Sequence, residues 1–264
     1  MRTCLFCDGT SLTLEHVWPD WISKHLYGQP KHGRFTARRF EGVDRHAVGD
    51  TFKASELNIK ARVVCASCNN GWMSELEAVT QPVLKPLLLG DSMSLDDLAQ
   101  TTLRAWIVLR AMILERSGPA ITTFYTEAER RAFAHTSLEP KDGTYIWVFQ
   151  YQNKQWAARS NIMNGGLHMV RGGPQTNRLQ VITAFVGRFG FQVLVARWPK
   201  RRRLDFDSLA VRTFATPLAS LWPDPNDVLD WPPRGFYLGN DAYEPLLDRF
   251  TKGGFPLQRR QRRR

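Results

Sequence analysis

Four cysteines are the residues of this sequence whose spacing most directly indicates chemistry. Cys4 and Cys7 form one C-x-x-C pair, Cys65 and Cys68 form the other, and the chain has no further cysteine. A redox function would account for one pair but not for two. Disulfides are not expected, because the first residues lack the apolar stretch of a secretion signal. Four thiolates in two such pairs are typical of a tetrahedral structural Zn²⁺ site, which we therefore predict here.

The interval between the two pairs is far longer than the roughly 15–20 residues of a simple zinc ribbon. It begins with the strand-like stretch LTLEHV, which carries Glu15 and His16. A zinc ion shared by the two pairs would bring this stretch near Asn69 and Asn70, where we expect a helix to begin. A carboxylate, an imidazole and an amide would then converge. That combination suits metal-assisted hydrolysis of a phosphodiester.

The same region resembles a known family. The resemblance is carried over residues 4–77 by the segments CLFC, LTLEHVWP and VCASCNNGWMSELE. They resemble the zinc-knuckle variety of the HNH endonucleases, in the ββα-metal superfamily. This implies a ββα fold with structural zinc and one catalytic divalent cation, Mg²⁺ or Mn²⁺. It further implies that His16 is the general base, that Glu15 and Asn69 are ligands of the catalytic cation, and that Asn58 orients the base.

Each of these residues also has an ordinary structural alternative. Asn69 could cap the following helix, since asparagine is a preferred N-cap residue, and Asn70 could face the site in its place. Asn58 could lie in a turn, and Glu15 could face solvent on its strand. Glu15 also stands where the family usually has Asp or another His. Compared with Asp, its side chain is longer by one methylene.

Local patterns predict the elements that must position these residues. In the first part of the chain we predict a strand over 12–17, a helix from Pro19 to Gly28, a basic irregular segment over 29–50 and a second strand or hairpin over 51–64. A further helix is expected from Asn69 or Asn70, interrupted by Pro82 and Pro86.

Helices continue beyond a boundary that we predict between residues 92 and 93. A helix over 94–115 has Ser94 and Asp97 in a near capping box and apolar residues at helical spacing. A shorter helix is expected after Thr126.

The remaining chain is dominated by strand patterns. Strands over 144–151 and 154–162 are predicted to pair as one hairpin, and strands over 179–187 and 189–198 as another. The predicted fold class is therefore α+β. An N-terminal ββα-metal HNH module with zinc knuckles occupies residues 1–92, and a mixed domain of helices and antiparallel sheet occupies 93–264.

The charge balance points to nucleic acid as the partner. The net charge is +11, with basic clusters over 31–45, 200–203 and 259–264. Such a field favours phosphate backbones, although any one of these residues could lie in a solvated loop. DNA is favoured over RNA as the substrate, but the sequence does not decide between them. It does not indicate the oligomeric state either. No apolar run reaches the roughly 18 residues of a membrane span, so we expect no membrane partner and a cytoplasmic location.

Two functions from different classes account for these features. The first is a metal-dependent HNH-type endonuclease that hydrolyses phosphodiester bonds with His16 as its general base. The alternative is a non-catalytic, zinc-dependent nucleic-acid-binding protein, in which the same residues only maintain the fold. A third interpretation is a thiol-based redox or metal sensor, which measurements of bound zinc and free thiols would separate from the other two.

Overall fold

A computed structural model describes most of the chain. The described residues are 3–27, 35–37, 40–41, 46–47, 52–54, 57, 59–117, 124–136, 138–152, 158–168, 175–197, 218–223, 225–233 and 237–238. Helices and strands are both abundant among them, which confirms a mixed α+β protein. No helix in these ranges has the length and hydropathy needed to cross a membrane.

The elements of the N-terminal part follow one another closely. They are β1 (Leu12–His16), α1 (Asp20–Tyr27), β2 (Phe35–Ala37), β3 (Phe40–Glu41), β4 (His46–Ala47), β5 (Phe52–Ala54), β6 (Lys60–Cys65), α2 (Ala66–Cys68), a π-helical turn (Asn69–Met73) and α3 (Ser74–Leu89). The prediction of an irregular segment over 29–50 is wrong in part, because β2, β3 and β4 lie within it. Strand β2 pairs with β5 and β3 pairs with β4, both antiparallel.

The described C-terminal part contains two helices and most of the strands. They are β7 (Met93–Leu95), α4 (Asp97–Arg116), α5 (Glu127–His135), β8 (Thr144–Tyr151), β9 (Ala158–His168), β10 (Gln175–Val186), β11 (Phe189–Arg197), β12 (Ala219–Trp222), β13 (Leu229–Trp231) and β14 (Tyr237–Leu238). Strand β7 pairs with β13, so a strand from the middle of the chain meets one near its end.

Helix α3 passes through both of its prolines, contrary to the predicted interruption. A proline cannot donate to the carbonyl four residues earlier, so Pro82 leaves the carbonyl of Ala78 without its helical partner. Both residues are exposed, and water can supply the missing donor. The opposite side of the helix is buried in the core, and its packing outweighs the local cost.

The start of α4 also differs from the prediction. Ser94 lies in β7, where its hydroxyl donates to Asp230 Oδ1 at 2.7 Å. The N-cap is Asp96, whose side chain accepts a hydrogen bond from the Ala99 amide at 2.8 Å. Pairing of β7 with β13 therefore takes the predicted first residues out of the helix, and Asp96 supplies the cap.

A six-stranded sheet forms the C-terminal half, in the order β12-β8-β11-β10-β9, with β14 alongside β8. The β10–β11 hairpin is confirmed, and it turns through Gly187 and Arg188 between paired Val186 and Phe189. Gly187 has φ +55°, a conformation that favours glycine in a two-residue turn. The predicted pairing of β8 with β9 is wrong, because β11 and β10 lie between them.

One hydrophobic core extends across the predicted boundary between residues 92 and 93. Trp106 of α4 lies at its centre, with its ring centroid 6.4 Å from that of Trp18 and 6.4 Å from that of Phe191. Trp18 lies two residues after the end of β1, and Phe191 belongs to the large sheet. The segment that carries the candidate site is therefore packed onto the sheet both through α4 and directly, since the rings of Trp18 and Phe191 have centroids 6.3 Å apart.

Candidate functional site

The four cysteines converge, as their spacing predicts. Their sulfur atoms all lie within 4.8 Å of one another. Cys7 Sγ is 3.5 Å from Cys65 Sγ and 3.6 Å from Cys68 Sγ. A tetrahedron of Zn–S bonds of about 2.3 Å has sulfur–sulfur edges of about 3.8 Å. The cluster is thus of the right size and composition to hold one metal ion such as zinc.

Backbone amides around the cluster point at the sulfurs. Phe6 N and Cys65 N lie 3.5 Å and 3.3 Å from Cys4 Sγ, and Gly9 N lies 3.4 Å from Cys7 Sγ. Such amides stabilise thiolates and orient them toward a metal. A Cβ on Gly9 would stand 3.0 Å from Cys65 Cβ, so glycine permits the close approach of the two knuckles.

The pKa of the Cys65 thiol is lower than the ordinary value of a cysteine. Burial disfavours its thiolate, but hydrogen bonds from the Ser67 hydroxyl and the Cys68 backbone outweigh that effect and lower the pKa of Cys65 to about 6. Burial raises the pKa of Cys7 and of Cys68 in the same cluster, so Cys65 ionises before these two. The thiolate is the form that binds metal.

The β1–β6 ribbon positions His16. These strands are antiparallel, and the register runs from Leu12 opposite Cys65 to His16 opposite Lys60. Cross-strand partners share a face, so Lys60 is the neighbour of His16 on the outer face of the ribbon. The cluster at the Cys65 end therefore fixes the strand that carries the imidazole at its other end.

Asp20, in the first turn of α1, lies near His16. A hydrogen bond from Lys24, at 2.6 Å, holds the pKa of Asp20 below its ordinary value, and the charges of His16 and Lys60 act in the same direction. An acidic side chain beside an imidazole can orient it and stabilise its protonated form. Sequence reasoning missed Asp20, although its place four residues after His16, at a helix start, was a usable signal.

Asn69 faces β1, whereas its neighbour Asn70 is exposed. The Asn69 side-chain amide donates to Thr13 Oγ1 at 3.4 Å. Asn69 lies in the π-helical turn after α2 and not at a helix N-cap, so the capping alternative is wrong. The second-strand residue, Asn58, lies outside the described residues.

Glu15 is buried and points away from His16. Successive strand residues face opposite sides, and the Glu15 carboxylate meets the guanidinium of Arg110 from α4, with Nη1 3.1 Å from Oε1. The second guanidinium nitrogen, Nη2, lies 3.0 Å from Oε1 of Glu77 on α3. Burial raises the pKa of Glu77, and the nearby charge of Glu15 adds to the rise, while Arg110 opposes it.

The residues implied for a catalytic cation fit it unequally. Asn69 offers an amide oxygen, which is a suitable ligand for a hard cation. The Glu15 carboxylate is already paired with the guanidinium of Arg110, so it fits a cation less well. Among the described residues, the four cysteines are the one group of three or more His, Cys, Asp or Glu side chains that could hold a metal ion. Arg110 neutralises part of the charge of the Glu15 and Glu77 carboxylates.

Arg110 and Glu77 are contributions that sequence reasoning missed. Arg110 interrupts the apolar run WIVLRAMIL of a core helix, and a charged residue at such a position is a signal that it has a buried partner. No protein-family model matches this chain, and neither a curated protein nor a solved structure is significantly similar to it. The geometry of the described residues must therefore carry the functional argument.

Proposed function

We propose that this protein is a nuclease that hydrolyses phosphodiester bonds with His16 as the general base. The observation that carries the proposal is the position of His16 on a strand that a four-cysteine cluster holds against the following helical segment. The order of two antiparallel strands and a helix, with Asn69 directly after the last cysteine, supports the HNH resemblance. Zn²⁺ in the cluster has a structural role in this proposal.

The residues around His16 supply most of what the reaction needs. In this proposal the imidazole accepts a proton from the attacking water, and the carboxylate of Asp20, which is paired with Lys24, lies nearby. Lys60 and Arg62 are exposed on the same face of the ribbon and attract the phosphate. A divalent cation, Mg²⁺ or Mn²⁺, would neutralise charge on the phosphate; its requirement rests on the resemblance, which assigns Asn69 and Glu15 to it.

The proposed substrate is nucleic acid, with DNA favoured. Support comes from the net charge of +11 and from the basic residues that flank His16 on the β1–β6 ribbon. The basic clusters over 31–45, 200–203 and 259–264 fall mostly or wholly outside the described residues. Their predicted role, sequence-independent contact with the phosphate backbone, stays a prediction.

A second candidate function is zinc-dependent binding of nucleic acid without cleavage. The observation in its favour is the ion pair between Glu15 and Arg110, which commits the implied cation ligand to another partner. The cluster and the basic ribbon would serve this function equally well.

Cleavage assays distinguish the two candidates. Supercoiled plasmid, linear duplex DNA and RNA are incubated with the zinc-loaded protein and Mg²⁺, Mn²⁺ or EDTA. His16→Ala should lower the cleavage rate by about 10²–10⁴-fold, the usual cost of losing a general base, with zinc content and DNA affinity retained. His135→Ala, an exposed histidine on α5, is the matched control and should cleave like the wild type. Full activity in His16→Ala would refute the assignment, and binding without any cleavage would favour the second candidate.

A further inference from the structure

A buried Glu–Arg–Glu cluster joins three elements behind the candidate site. Arg110 of α4 has no exposed side-chain surface, and its guanidinium lies between Glu15 of β1 and Glu77 of α3. Charged side chains are almost never fully buried unless they are paired. Removing one partner would leave a buried charge without compensation, which is strongly destabilising.

Arg110 also holds the backbone on which His16 lies. Nη1 donates to the carbonyl oxygen of His16 at 3.0 Å, and lies 3.4 Å from that of Val17. The planar guanidinium has a rigid fork of donors, so these contacts fix a direction as well as a distance. The end of β1 is thereby held from the side opposite to Lys60 and Arg62.

A divalent cation on the Glu15 carboxylate would conflict with this arrangement. It would meet the positive guanidinium at close range, and displacing Arg110 would leave a buried charge without its partner. Glu15 and His16 also face opposite sides of β1, so a cation on the inner carboxylate would lie away from the face that carries His16.

We infer that Glu15 and Arg110 form a positioning pair that fixes the end of β1, so that Glu15 acts on catalysis through the backbone of His16 and not as a ligand of a divalent cation. This inference rests on the proposed nuclease function and gives Glu15 a different role from the one that the resemblance implies. It also assigns a task to the part of the chain beyond residue 92, since Arg110 lies on α4.

Kinetics of Glu15→Gln, Arg110→Gln and the double variant test the pair. Each single change should lower kcat by about 10–100-fold, because small displacements of a catalytic group have effects of that size. The KM for DNA and the half-saturating Mn²⁺ concentration should not change. The double variant should be no worse than the poorer single variant, since both changes remove the same contact. Glu75→Gln, at an exposed position on α3, is the matched control.

A ligand role for Glu15 predicts a different pattern. Glu15→Gln would then raise the half-saturating Mn²⁺ concentration and regain activity at high Mn²⁺, and Arg110→Gln would leave kcat unchanged. Either result overturns the inference. Zinc content and thermal melting establish that each variant is folded, and Arg110→Lys, which keeps the charge without the fork, replaces Arg110→Gln if that variant loses zinc.

Amide hydrogen exchange tests the same pair without any activity. The Val17 amide donates to Ile59 O at 2.8 Å, and it should exchange faster by about tenfold or more in Arg110→Gln, because the strand end is no longer held. Amides of the β10–β11 hairpin should keep their protection. If the wild type cleaves no substrate, the proposed function fails and the catalytic part of the inference fails with it. This measurement still decides whether Arg110 fixes the end of β1: unchanged exchange at Val17 would overturn the pair itself.

Discussion

Glu115 is a fully buried carboxyl group at the C-terminal end of α4. Its oxygens accept hydrogen bonds from the backbone amides of Phe124 and Tyr125, the second at 3.4 Å. Burial disfavours the charged form more than these amides favour it, and raises the pKa of Glu115 to about 7. A proton therefore binds this group more tightly in the folded protein than in the unfolded chain.

The raised pKa of Glu115 predicts a pH dependence of stability. Between the ordinary pKa of 4.5 and about 7, the unfolded chain has released the proton and the folded protein retains it. The free energy of unfolding should therefore fall as pH rises through this window, and this group's contribution should level off above it. Between pH 6 and pH 8 the expected loss is about 1 kcal/mol.

Glu115→Gln isolates this contribution. Glutamine keeps an oxygen that can accept from a backbone amide and has no charge at any pH. Denaturant titrations of zinc-saturated protein at pH 6, 7 and 8 should show a smaller fall in stability for Glu115→Gln than for the wild type. Identical slopes in the two proteins would show that Glu115 is ionised throughout, and would contradict the raised pKa.

Single residues differ in how much of their role the sequence reveals. The four cysteines could be assigned to one site because metal geometry demands few residue types at a narrow spacing. Arg110 could not be paired with Glu15, because the two lie far apart in the chain and their contact depends on how α4 packs against β1. Local sequence carries no record of such a long-range pairing.

The same distinction separates the elements. The β10–β11 hairpin was predictable because a two-residue turn with Gly187 fixes its register locally. The neighbours of β8 were not, because β11 and β12 flank it and neither follows it directly in the chain. Sequence patterns predicted β8 and β11 but not β12, and only the tertiary arrangement decides which edges meet.

Pro82 offers a test of local cost against tertiary packing in α3. Pro82→Ala restores an amide that can donate to Ala78 O, and should raise the free energy of unfolding by about 1–2 kcal/mol, since the lost rigidity of the unfolded chain offsets part of the gain. Denaturant unfolding measures the change. Glu75→Ala, also exposed on α3, should stay within about 0.5 kcal/mol of the wild type. A destabilised Pro82→Ala would mean that α3 depends on the proline for its shape.

At the scale of the whole molecule, α4 connects the surroundings of the four-cysteine cluster to the large sheet. Trp106 packs against Trp18, Phe189 and Phe191, with ring centroids 6.4–6.5 Å from its own, and Trp18 also lies 6.3 Å from Phe191. Elements that share one core unfold together unless their contacts are few. The predicted boundary between residues 92 and 93 is therefore a change of architecture within a continuous core. That the two parts of the chain are separate domains stays a prediction.

Thermal unfolding of the full chain tests whether the two parts are one cooperative unit. Zinc release, followed with a chromophoric chelator, and loss of the sheet, followed by far-UV circular dichroism, should occur in one transition. Trp106→Ala should lower both midpoints together, because the cavity costs about 3–5 kcal/mol in a core that both parts share. Leu98→Ala, at a position of α4 that is 73% exposed, should leave both unchanged. If Trp106→Ala shifted the loss of the sheet and left zinc release at its original temperature, the two parts would be independent domains, and Arg110 could not be holding the His16 strand through a shared fold.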